Sequence, residues 1–154
     1  MITPTYDKKE NDIFKWAKDR GIGVLTYKPL GQGLLLDKYN PKNPPMFESG
    51  DHRIRKIWFS KNGLTILNKR LMLVKKRFNI TTIREMVQLC LKYSLSRDNN
   101  LCVIVGFKNK KQINDSLSTK GHLSEKNINF IRNIFVDINE EIGTFTDFKK
   151  EKNV

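Results

Sequence analysis

The chain has 154 residues, about one ordinary domain, and its 38% hydrophobic content suffices for one core without disulfide or metal support. No apolar run approaches the roughly 20 residues that span a bilayer, and the opening MITPTYDKKE lacks the basic start and apolar stretch of a signal peptide, so a cytoplasmic protein with no membrane partner is expected. Lys and Arg number 29 against 16 Asp and Glu, a net charge of +13 that attracts polyanions of any kind; because Lys and Asn are abundant throughout, this reads as compositional bias, and nucleic acid is not the expected partner.

Lys8 to Arg20 place Ile13, Phe14, Trp16 and Ala17 on one side of a helix that Gly21 can stop. Gly21-Ile-Gly-Val-Leu-Thr-Tyr27 then reads as a buried strand bounded by Pro29. Gly31, Gln32 and Gly33 leave the following backbone unencumbered, and Asp37 to Asp51, with Pro41, Pro44, Pro45 and Gly50, is expected to be a long loop of the kind that often serves as a lid or binding loop. Trp58 and Phe59 are expected to pack under it. Leu64, Leu67, Leu71, Val74 and Phe78 form one apolar stripe on a helix from about Asn62 to Phe78, with a basic opposite face. Thr82 and Glu85 fit a capping box that opens a second helix running to about Leu95.

After the polar break at Arg97 to Asn100, Leu101 to Val105 has the charge-free, β-branched character of a strand buried on both faces. Lys110 to Ser118 reads as a short helix with Ile113 and Leu117 inward, and Ser124 opens another in which Ile128, Ile131 and Phe135 share a face. Residues 1–142 are expected to form one unit and 143–154 a polar, frayed tail. Cys90 and Cys102 lie in apolar runs and are expected to be buried thiols without chemical duty. His52 and His122 stand alone in polar segments, so no metal site is expected.

This alternation is that of an α/β fold, a parallel sheet with helical crossovers. Only two convincing strands are present, and two parallel strands can neither close a barrel nor cover these helices. The remainder of the sheet is expected from elsewhere, through an oligomer or a partner.

Gly21-Ile-Gly-Val-Leu-Thr-Tyr-Lys-Pro-Leu-Gly-Gln-Gly-Leu-Leu35 resembles the seventh strand and following turn of aldo-keto reductases: glycine, apolar strand, aromatic, Ser or Lys, Pro-Leu, Gly-x-Gly-Leu. Val103-Ile-Val-Gly-Phe-Lys-Asn-Lys-Lys-Gln-Ile-Asn-Asp-Ser116 resembles the eighth strand and phosphate-gripping helix of the same family. The resemblance covers Lys8 to Ile138 and implies the C-terminal portion of a (β/α)8 TIM barrel, an incomplete barrel with the last two of the eight strands, a quarter of them, in a fold that typically needs roughly 250 residues. The family's catalytic Asp, Tyr, Lys and His belong to the earlier strands and have no counterpart here. Tyr6, Tyr27, Tyr39 and Tyr93 do not occupy the catalytic tyrosine's position.

The cofactor implied is NADP(H). By resemblance Tyr27 would stack on the nicotinamide, and Lys28, Pro29, Leu30 and Gly33 would wrap the pyrophosphate. Gly106 and Phe107 would lead into the phosphate-binding helix start, Lys108 would grip the 2′-phosphate, and Gln112, Asp115 and Ser116 would contact adenine and ribose. Asp115 is one carbon shorter than the usual Glu, and Ser116 replaces the usual Asn. Asp51-His52-Arg53 loosely fits an Asp-x-Arg element, which gives Arg53 and Arg55 a lid or phosphate contact. Three functions follow: an oxidoreductase homologue whose catalytic portion is absent, completed by a complementary barrel half or a homo-oligomer; a non-catalytic nucleotide-binding regulatory module; or a basic nucleic-acid-binding protein on a decayed scaffold.

Overall fold

The computed structural model describes residues 13–143. Helix α1 (Ile13–Lys18) leads to strand β1 (Val24–Tyr27), and three 3-10 turns at Gly31–Leu36, His52–Arg55 and Ile57–Phe59 punctuate the segment before α2 (Lys61–Phe78). Then follow α3 (Ile83–Leu95), β2 (Leu101–Ile104), α4 (Lys110–Leu117) and α5 (Glu125–Ile142). The first part of the expected opening helix, Lys8 to Asp12, lies outside the described residues, as does the expected tail beyond Gly143.

Local chemistry fixes the helix ends. Ser60 Oγ accepts from the Gly63 N–H at 3.1 Å, and Asn79 ends α2 in the left-handed region at φ +52°. Thr82 and Glu85 form the reciprocal capping box the sequence predicts. The apolar stripe of α2, Leu64, Leu67, Leu71 and Val74, is buried against Leu34 and Leu35 from the first turn, Met86, Leu89 and Tyr93 of α3, and Ile131, Phe135 and Ile138 of α5. Trp58 and Phe59 are buried under the long loop as expected, with Tyr39 and Phe47 edge-on to Phe59 at 5.6 and 5.0 Å. Arg70 ties α2 to α5 through Asp137 at 3.1 Å and through Glu141.

β1 and β2 pair in parallel, Val24 with Leu101 through Tyr27 with Ile104. Three expectations are corrected here. Neither strand is buried on both faces: Leu25, Tyr27, Cys102 and Ile104 share one face and are exposed, Leu25 at 69% and Ile104 at 53%, while the opposite face is buried or half-buried. Among the described residues, helices cover one side of this sheet and not the other, so a charge-free run does not secure burial on both. For the same reason Cys102 is exposed and only Cys90 is a buried thiol. Leu117 is 77% exposed rather than inward, because α4 is two turns long and its last residue passes beyond the packed surface, while Ile113 is half-buried.

Candidate functional site at the carboxyl edge of the sheet

Because the strands are parallel and in register, the turn after Tyr27 and the turn after Ile104 leave the same edge of the sheet. Among the described residues, three of the four non-glycine positions with positive φ fall in the first turn: Lys28 (+57°), Gln32 (+59°) and Asp37 (+51°), interleaved with Gly31 (+54°) and Gly33 (+89°). Backbone held in the left-handed region is costly for side-chain-bearing residues and concentrates at ligand sites. The Gly31 N–H donates to the Lys28 carbonyl at 3.1 Å and the Gly33 N–H to the Leu30 carbonyl at 2.9 Å, which folds the turn tightly back. Pro29 is buried and Leu30 half-buried beneath it. Tyr27, 51% exposed, holds its ring at the strand end with Lys28 Nζ 5.5 Å from the ring centroid.

A side chain the sequence did not single out joins this turn. A Cβ added at Gly33 would stand 2.9 Å from both Cε and Nζ of Lys38, so the Lys38 ammonium lies against the turn itself and 5.0 Å from the Tyr39 ring centroid. Lys75 Nζ pairs with Asp37 at 2.8 Å and pins the end of the turn to α2. His52 meets the turn as well: its Nε2 lies against Nε2 of Gln32, twenty residues earlier, and Asp51 lies 4.0 Å away. Arg53 turns inward onto Asp51, with Nε 3.0 Å from each carboxylate oxygen and its guanidinium carbon 4.2 Å from the Phe47 ring centroid. Its hydrogen bonds hold the Asp51 carboxyl down at about 2, well below the ordinary carboxylate range.

The second turn carries Gly106, Phe107, Lys108, Asn109, Lys110 and Lys111, all exposed. Asn109 caps α4 by accepting the Gln112 N–H at 3.0 Å, while Gln112 Oε1 accepts the Lys108 N–H at 2.7 Å. Ser116 Oγ donates to the Gln112 carbonyl at 2.9 Å. Asp115 accepts from Lys111 Nζ at 2.8 Å and lies 3.6 Å from Arg84 Nε, a partner on α3 that no sequence pattern named. The expected residues thus fall into two groups, Tyr27 to Gly33 and Gly106 to Ser116, on one edge, flanked by cations. Among the described residues no group of three His, Cys, Asp or Glu could hold a metal, and no helix is long and apolar enough to cross a membrane.

A sequence model described as the aldo/keto reductase family matches residues 2–135. The chain belongs to the aldo/keto reductase family. It is also similar to Aldo-keto reductase yakc, a protein of Schizosaccharomyces pombe named with NADP(+), at 29% identity over 129 residues. That match takes in 82% of this chain and 36% of the relative, so the chain spans about a third of the length of the protein it matches. The parallel pair of strands with its helices is consistent with part of an aldo-keto reductase barrel.

Proposed function

We propose that this chain is the NADP(H)-binding C-terminal portion of an aldo-keto reductase barrel, acting in the cytoplasm. What carries the reading is the strained, glycine-bearing turn after Tyr27 with the Lys38 ammonium laid against it, on the same sheet edge as the cationic start of α4. These residues fit a dinucleotide with two separate anionic groups: Lys38 and the backbone of Lys28 to Gly33 suit a pyrophosphate, and Lys108 beside the amino end of α4 suits a ribose phosphate. Tyr27 presents a half-exposed ring for a flat nicotinamide, which when bound supplies hydride to a carbonyl carbon or takes it from an alcohol carbon. The unpaired thiols Cys90 and Cys102 agree with a reducing compartment.

The family's catalytic Asp, Tyr, Lys and His, of which the tyrosine protonates the carbonyl oxygen, would come from a complementary barrel portion. It would add strands beside β1 and β2 and cover Leu25, Cys102 and Ile104, a face that parallel sheets normally bury. The relative's name, with its NADP(+), supports the cofactor choice. The test is a titration of the purified chain followed by the fluorescence anisotropy of NADPH. We expect saturable binding that Lys108→Met weakens by about tenfold, the value of one charge-assisted phosphate contact, with NADH binding unaltered. Absence of any anisotropy rise at high protein concentration overturns the reading. Binding that instead follows duplex DNA and collapses with salt would support the nucleic-acid alternative.

A further inference from the structure

Among the described residues β1 and β2 pair only with each other, so each strand keeps its outer edge open. The pairing is parallel throughout, from Val24 with Leu101 to Tyr27 with Ile104. The open β1 edge of one copy and the open β2 edge of another are therefore complementary, since a strand added on either side continues the ladder in the same direction. Neither VLTY nor LCVI contains a proline, so every residue can donate to such a ladder. The face beside these edges is as uniform as they are. Leu25, 69% exposed, and Tyr27, Cys102 and Ile104 all point to the side that the helices leave bare, with no charge among them. Taking that face out of water buries apolar surface without burying an ionic group.

We propose that, on its own, the chain completes a cylinder with three further copies of itself, each offering its β2 edge to the β1 edge of the next. Such a contact is head-to-tail, and head-to-tail contacts close into a ring when their rotation divides a full turn. Four copies follow from the geometry of an eight-stranded parallel barrel. Its strands tilt, so paired residues stand at different heights, and each interior layer takes four side chains from alternate strands. Two strands per copy then place one residue of every copy in each layer: four Leu25, four Cys102, four Tyr27, four Ile104. A dimer gains little, because a four-residue edge falls short of the roughly 800 Å² per partner of a stable interface and leaves the inner face wet. Only closure covers that face, so the chain passes from one copy to four without a populated intermediate. The net charge of +13 on each copy opposes assembly, and salt screens it. The ring needs no cofactor, so its failure would leave the NADP(H) reading untouched.

Sedimentation velocity of the full chain over a range of concentrations reads the assembly. We expect two boundaries, one of the single 18.0 kDa chain and one of four chains. The larger should grow with concentration and as salt rises from about 0.05 to 0.5 M. Leu25→Lys alters a side chain that is exposed in the single copy, so the chain should keep its circular dichroism; four ammonium groups in one layer should hold it as a single copy at about ten times the concentration that half assembles the original. If that variant does not fold, the unsubstituted chain still answers. Cys102, open in the single copy, should react with a maleimide about tenfold more slowly where the larger species dominates. A single species of one-chain mass up to on the order of 100 μM overturns the proposal and leaves the face to a complementary barrel portion. So does a dimer without a tetramer, a larger species that Leu25→Lys leaves intact, or one that salt disperses, since ionic contacts elsewhere would then hold it.

Discussion

Gly63 is the third residue of α2, and on helix propensity alone Gly63→Ala should stabilise the chain by about 1 kcal/mol. The packing around it reverses that sign. An added Cβ would stand 2.6 Å from the Ile57 carbonyl oxygen and 2.9 and 3.0 Å from Cα and C of Trp58. The closest approach falls short of the 3.4 Å at which ordinary contact begins by 3.4 − 2.6 = 0.8 Å. All three neighbours are backbone, and that backbone is anchored: Trp58 is fully buried, stacks on Phe135 at 6.5 Å, and donates its Nε1–H to the Gly143 carbonyl at 2.9 Å. Overpacking of this kind costs about 1–3 kcal/mol, and with an immovable neighbour the upper half of that range applies. After the propensity gain, a net loss of about 1–2 kcal/mol remains, a fall in Tm of about 2–8 °C for a chain of this size. Thermal unfolding followed by circular dichroism reads it, with the exposed neighbour Asn62→Ala as control. A Gly63→Ala chain as stable as the original, or more so, would refute the argument and show that the turn at Ile57–Phe59 yields.

Lys38→Met should weaken NADPH and NADH binding alike, by about tenfold, because a pyrophosphate is common to both; a loss confined to NADPH would move Lys38 to the ribose phosphate. Glu85 is held at about 2 by the backbone N–H groups of Thr81 and Thr82. A carboxylate whose folded value is depressed contributes stability that is present above its unfolded value near 4 and is lost as pH falls towards 2. The urea midpoints of the original chain and Glu85→Gln should therefore differ at pH 6 and converge on acidification; a constant gap would remove the ionic origin of the cap. Burial pushes the Cys90 thiol up to about 12, whereas Cys102 is exposed. A maleimide should label Cys102 in the folded chain and Cys90 only on unfolding, and equal rates would contradict the packing of α3.

The sequence exposed those features whose causes are local. The stripe from Leu64 to Phe78 set α2 to within one residue of its start, since a helix must turn one face to the core whatever covers it. The Thr82–Glu85 box spans only two intervening residues and so is recognisable locally. What remained hidden was non-local. Leu101 to Ile104 is apolar on both faces, yet its burial depends on layers the run itself cannot specify, so Cys102 and Ile104 emerge exposed. Lys38 reaches back five residues to Gly33 along a flexible stem, and Arg84 meets Asp115 across 31 positions of chain through helix packing. The two glycine-bearing turns were legible as motifs; the cations converging on them were not.

The exposed face of the sheet separates the two ends of the proposed cofactor site. Tyr27 belongs to the same face as Leu25, Cys102 and Ile104, whereas Lys108 and α4 follow the strand beyond the edge. On the proposed reading, whatever covers that face would enclose the nicotinamide end, while the groups proposed to meet the phosphates, on α4 and the turn after β1, already stand together at one edge. A ring lying on Tyr27 with solvent on its other side retains only part of a stacking energy of roughly 1–3 kcal/mol. It follows that 2′,5′-ADP, which has the adenosine phosphates and no nicotinamide, should displace NADPH from the isolated chain with an affinity within about tenfold of NADPH itself. Adding a polypeptide that completes the barrel should widen that ratio by tightening NADPH alone. An isolated chain that already prefers NADPH by a thousandfold would mean that the nicotinamide pocket is closed without help, and that the naked sheet face plays no part in it.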